Sequence, residues 1–107
     1  MIGWKQGYTL GYENIVLIKL EIPDDAKVVH VKQYGTTKDF YYCDKASVKR
    51  ITSFDGKHRV RWARSMKDGD FKYHVGEEVH ARFDCGIGKQ AGIYFFKTRK
   101  QAKEYEY

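Results

Sequence analysis

The chain has 107 residues, 42% hydrophobic and 32% charged, with a formal net charge of +6, a size that suits a single domain over residues 1–107 with one core. No apolar run approaches the eighteen or so residues of a membrane span, and the opening Met1-Ile2-Gly3-Trp4-Lys5 lacks the pattern of a secretory signal. The expectation is a cytoplasmic protein with no membrane partner.

Nine Tyr, frequent Val, Ile and Phe, and a single Pro favour sheet over helix. Gly3 to Tyr8 reads as a short edge strand running into a turn. Ile15 to Ile22 is the clearest strand: its first half is apolar throughout, and its second half alternates, with Ile18, Leu20 and Ile22 on one face. Pro23-Asp24-Asp25 ends it, because proline cannot donate to a ladder and Asp favours turns. A turn near Ala26 leads into an extended stretch through Val28, Val29 and Val31, and residues 35–39 read as a polar loop. Phe40 to Cys43 is a short aromatic strand, and Ala46 to Phe54 follows with mixed alternation.

Asp55-Gly56 is the strongest hairpin signal, since glycine accepts the positive φ of tight hairpin turns. The return strand, His58 to Arg64, places Val60 and Trp62 on one face, as core, and Arg59 and Arg61 on the other. Residues 67–70 form another turn, and strands follow at residues 73–76 and 78–83. A glycine-bearing loop over residues 86–92 precedes the strand Ile93 to Phe96. Thr98-x-x-Gln101 fits a capping box and opens a helix from about Arg99 to Tyr105, with Ala102 and Tyr105 inward. The expected fold is α+β: a mostly antiparallel sheet of about six to eight short strands with a short C-terminal helix.

Charge is uneven. Residues 1–56 carry 8 Lys/Arg against 7 Asp/Glu, and residues 57–107 carry 12 against 7. Lys57, Arg59, Arg61, Arg64 and Lys67 follow one another with no acid between them. Such a run reads in two ways. It is a solvated edge strand, where cations discourage edge-to-edge pairing, or it is a surface for nucleic acid, a nucleotide or an acidic protein face. Lys97, Arg99 and Lys100 extend the candidate surface. Trp62, Tyr41, Tyr42 and Tyr73 are candidate stacking faces for a nucleic acid, with a β-rich core as the competing use.

No catalytic pattern stands out. Cys43 and Cys85 are far apart, no Cys-x-x-Cys occurs, and His30, His58, His74 and His80 are scattered. That spacing gives no support to a zinc site, so no metal and no cofactor is expected. Two buried free thiols are the default in a reducing compartment. Glu77 and Glu78 are adjacent, so in a strand they point to opposite faces.

Four segments carry a resemblance over nearly the whole chain: Gly3-Trp4-Lys5; Leu20-Glu21-Ile22-Pro23-Asp24-Asp25-Ala26-Lys27; Cys43-Asp44-Lys45-Ala46-Ser47-Val48; and Tyr73-His74-Val75-Gly76-Glu77 with Cys85 through Ala102. The chain resembles an uncharacterised small domain found at the ends of pentapeptide-repeat proteins and free-standing in bacteriophage genomes. It departs at Tyr94, where that family usually has His, and at Asp44, where it usually has Arg. The stretch between Cys85 and Gly92 is also longer. The strand Gly92-Ile93-Tyr94-Phe95 is faintly similar to the ADP-ribosyltransferase strand whose tyrosine stacks on nicotinamide, which would give Tyr94 that role.

The resemblance implies a phage or mobile-element setting. There a small basic protein without catalytic activity would bind and block a host effector, such as a CRISPR-type immune nuclease, or sequester its ligand. The implied partner is a host protein or nucleoprotein complex, bound by a monomer or homodimer. The alternatives are a direct nucleic-acid-binding protein and a degenerate transferase.

Overall fold

The computed structural model describes residues 1–9, 14–32, 39–66, 71–81 and 92–105. Its centre is an antiparallel pair of eight-residue strands, β1 (Ile2–Thr9) and β2 (Asn14–Glu21), in continuous register from Ile2 opposite Glu21 to Thr9 opposite Asn14. Strand β5 (Lys45–Ser53) pairs with the far side of β2. β7 (Trp62–Ser65) pairs with the far side of β1 at Gly7 and Tyr8, and β8 (Lys72–His74) lies beyond it. β1 is therefore a central strand rather than the edge its composition suggests. Its glycines admit close neighbours: a Cβ on Gly3 would sit 2.5 Å from the Phe95 ring, and one on Gly7 2.7 Å from Ile18.

The sheet curls back on itself. β6 (Arg59–Val60) pairs with β5, yet only Arg61 separates it from β7, which pairs with β1 on the other side of β2. One stretch of chain thus bridges the two sides of the sheet. A second bridge is β8, the 75–77 turn and β9 (Glu78–His80), which pairs with Lys45–Ser47 of β5. Within that turn, Val75 N–H donates to the Arg61 carbonyl, and Gly76 N–H donates to the Val48 carbonyl, each at 2.9 Å. Gly76 takes a φ of +88° there, a conformation glycine adopts without steric cost. The result is a strongly curled seven-stranded sheet with β6 and β8 at its ends, its curl held by these turn contacts.

A three-stranded sheet of β3 (Val28–Lys32), β4 (Asp39–Cys43) and β10 (Ile93–Phe95) covers one side. The Trp4–Phe96 bridge ties it to β1, with N–H to carbonyl distances of 2.8 and 2.7 Å. A six-residue helix, α1 (Arg99–Glu104), ends the described chain, and the Thr98 hydroxyl accepts from Gln101 N–H at 3.1 Å as its N-cap.

Two apolar clusters follow from this layering. Inside the curl lie Val16, Ile18, Leu20, Val48, Ile51 and Ala63, joined by Ile93 and Phe95 from the second sheet. Between the curled sheet and the helix lie Leu17, Phe40, Tyr42, Tyr94, Phe96 and Ala102. β10 and residues 16–18 of β2 are buried on both faces, which is why these stretches read as apolar runs. Each such side chain contributes about 1.5–3 kcal/mol by leaving water.

The α+β expectation agrees with this architecture. The larger sheet has seven strands and the second sheet three among the described residues. The return strand after Gly56 differs from expectation. The break at Arg61 shifts the alternation by one residue, so Val60 packs on the core and Ala63 follows it inside, while Trp62 stays half-buried at the surface. The turn expected at residues 67–70 and the loop expected at residues 86–92, apart from Gly92, lie outside the described residues.

Candidate basic groove

The site begins with a β-bulge. Opposite β2, Lys19 faces Arg50 and Leu20 faces Val48, so Lys49 is the extra residue of β5. A bulge re-aims side chains, and here Lys49 and Arg50 line the same depression although they are neighbours in sequence. On this edge of β5, Lys49 and Arg50 fall between the section paired with β6 and the section paired with β9. The two bridging segments part there and leave a groove of about 610 Å³. Arg59 and Arg61 form one wall, His74, Val75 and Glu77 the other, and Ile51 and Val60 the apolar floor.

Four Lys/Arg side chains thus face one carboxylate, Glu77. Lys49 also makes a 2.8 Å ion pair with Glu21, which holds the Glu21 carboxyl below the usual carboxylate range through the Lys49 hydrogen bond and charge. Both partners are half exposed, so the pair adds little stability and leaves Lys49 free to exchange partners.

Of the sequence-predicted residues, Arg59 and Arg61 meet in this groove. Arg99 lines a neighbouring cleft with Trp4, Arg50, Thr52, Asp55 and Gly56, and Arg99 and Lys100 line a depression along α1 with Lys103 and Glu104. The others stand apart. Lys57 lies in the hairpin turn, its N–H donating to the Asp55 carboxylate at 3.0 Å. Arg64 packs 5.7 Å from the Trp62 ring, and Lys97 lies 4.9 Å from the Tyr41 ring of the second sheet. Lys67 is outside the described residues. Lys49, Arg50, His74 and Lys103 are additions that the run between Lys57 and Lys67 did not reveal. The mixed alternation around Lys49 was the one local sign of the bulge.

The expected stacking faces are mostly consumed by the core. Tyr42 and Tyr73 are buried, and half-buried Tyr41 is stacked between His30 and Phe95. Tyr94 is 3% exposed, with the Lys5 ammonium 3.9 Å from its ring centre. A nicotinamide ring therefore finds no open face on Tyr94, which removes the one residue that the transferase likeness supplied.

Cys43 is fully buried, and burial pushes its thiol up to about 12, a neutral group rather than a nucleophile. Cys85 lies outside the described residues. Among the described residues no group of three or more His, Cys, Asp or Glu is placed to hold a metal ion. No described helix is long and apolar enough to cross a membrane.

No curated protein and no solved structure matches the chain. Residues 1–102 match the family described as "Family of unknown function (DUF5758)", and the chain belongs to that family.

Proposed function

We propose that this chain is a non-catalytic binding module that takes the phosphate backbone of a nucleic acid in the groove between β5, β6 and the 75–77 turn. The observation that carries the reading is the convergence of Lys49, Arg50, Arg59 and Arg61 on one depression whose described lining holds one carboxylate, Glu77, with Glu21 paired to Lys49 beside it. These side chains come from two strands and a bend, so the fold concentrates charge that the sequence spreads over thirteen positions. Cations so arranged release counterions when phosphates replace solvent, which drives association without any base contact. The reading is of a cytoplasmic protein, where the Cys43 thiol stays reduced.

The test is binding of labelled mixed-sequence DNA and RNA across a salt series. Expected is binding that weakens steeply with salt and weakens further in Arg59→Ala/Arg61→Ala. Absence of binding at low salt sinks the reading.

A second reading has one observation in its favour. The groove has an apolar floor at Ile51 and Val60 and an exposed Val75, 40% accessible, on its wall. Cations around an apolar strip also suit docking on an acidic or RNA-bearing protein face. That is how a phage-encoded blocker of a host effector would use this surface. It predicts a stable complex with one host protein and little affinity for free nucleic acid.

A further inference from the structure

The three depressions share residues. Arg50 belongs both to the 610 Å³ groove and to the 300 Å³ cleft beside it, and Arg99 belongs both to that cleft and to the 470 Å³ depression along α1. The hand-over makes one path from the 75–77 turn, across β5 and the β5–β6 hairpin turn, to the exposed side of α1. Seven Lys/Arg line it against three carboxylates, Glu77, Asp55 and Glu104. That is a net +4 on one path of a chain whose total is +6. Solubility alone would scatter this charge, because dispersed like charges repel less than aligned ones.

An aromatic ring sits in the middle of the path. Strand register places Trp4 opposite Lys19, and Lys19 opposite Arg50, in a row across the outer face of β1, β2 and β5. Trp4, half-buried with part of its ring packed against the cluster of Leu17 and Phe96, lines the middle cleft, with the Lys19 ammonium 5.5 Å from its ring. Cations beside an indole are the arrangement that holds a flexible strand: phosphates on the charges, a base on the ring. A duplex is a poor fit for the same features. It carries its phosphates on a stiff rod and keeps its bases stacked inside, so no base face reaches a ring in a 300 Å³ cleft.

Resting on the nucleic-acid reading above, we propose that the ligand of this path is single-stranded nucleic acid. Its backbone runs from the Arg59/Arg61 groove past Arg50 to Arg99 and Lys100, and one base stacks on Trp4.

The test measures fluorescence anisotropy of labelled oligothymidylates from 4 to 20 nucleotides and of a 20-base-pair duplex, each across a salt series. Five proteins are compared: wild type, Arg59→Ala/Arg61→Ala, Arg99→Ala, Trp4→Leu and Trp4→Phe. Expected is affinity that rises with length to a plateau and exceeds that for the duplex at least tenfold. Arg99→Ala weakens the longer strands and flattens their salt slope by about 0.7 for the lost phosphate contact, while the shortest strand is unaffected. Trp4→Leu weakens binding at least about fivefold with its salt slope unchanged, and Trp4→Phe restores most of the loss, because a ring face and not charge is what Leu lacks.

Thermal unfolding checks that each variant is folded. Arg99 is exposed, so its substitution reads the path even where a Trp4 variant is unstable. Equal or tighter duplex binding, or wild-type affinity in both Arg99→Ala and Trp4→Leu, overturns the proposal. If Arg59→Ala/Arg61→Ala still weakens binding in that case, the groove reading survives and only the extended path fails. If neither set has an effect, both fail.

Discussion

The Lys5 ammonium lies 3.9 Å from the centre of the Tyr94 ring and donates a 2.6 Å hydrogen bond to the Tyr73 hydroxyl, inside the fold at 1% exposure. A lysine is almost never buried without partners. Here the register of β1 dictates it: Gly3, Lys5 and Gly7 face Leu20, Ile18 and Val16 on the inward side, so the one long side chain of that face points into the curl of the sheet. The space over the two flanking glycines is filled by Phe95 and Ile22 at Gly3 and by Ile18 at Gly7.

This contact predicts a coupling. Lys5→Met and Tyr73→Phe each cost about 1–3 kcal/mol, since each weakens the partner's satisfaction in a dry interior. The double variant should cost less than the two costs added, with an interaction of about 0.5–3 kcal/mol. Urea unfolding of the four proteins measures it. Strict additivity would show that the hydrogen bond contributes nothing to stability.

Gly3→Ala should destabilise by about 1–3 kcal/mol through overpacking. The new methyl would meet Phe95 at 2.5 and 2.8 Å and Ile22 at 2.9 Å, both fully buried side chains with nowhere to move. Gly76→Ala is a different case: no atom lies within 4 Å of its Cβ, so any cost there comes from its φ of +88° alone. Chemical unfolding of the pair separates steric from backbone strain. A neutral Gly3→Ala would mean the sheet wall yields.

The buried Gln6 amide donates to three carbonyls at the end of α1: Ala102 at 2.8 Å, Lys103 at 3.3 Å and Tyr105 at 3.0 Å. These groups have no partner within the helix, so Gln6 closes its C-terminus from β1. Gln6→Leu should cost about 1–3 kcal/mol and strip amide-exchange protection from α1 before the sheet is affected. Unchanged protection of Ala102 would refute that role.

Cys43 gives a pH dependence. Its thiol is raised from 9.0 to about 12 by burial, so the folded state holds its proton more tightly than the unfolded chain does. The corresponding stability is fully present below pH 9 and is lost as pH rises toward 12, at up to about 1.4 kcal/mol per pH unit. Cys43→Ala should therefore lose stability less steeply than wild type across that window. Alkylation of Cys43 at pH 8 should also track global unfolding. Rapid labelling of Cys43 in the native protein would contradict the burial argument.

Much of the local structure was determined by the sequence itself. Alternation at Ile18, Leu20 and Ile22 set the inward face of β2, Asp55-Gly56 set the hairpin, and Thr98 with Gln101 set the start of α1, because each signal acts within a few residues of chain. Arg59 and Arg61 were legible as a candidate surface for the same reason, being adjacent in a run without acids. The curling of the sheet was decided by tertiary structure. One bend at Arg61 carries a single stretch of chain between the sides of the sheet formed by β5 and β1, and no local pattern encodes which strands it joins. That curling moved Trp62 out of the core and turned β1 from an edge into a centre. It also brought Arg50, Trp4 and Arg99, distant in sequence, onto one path. Charge density on a surface depends on which strands become neighbours, and only the folded sheet fixes that.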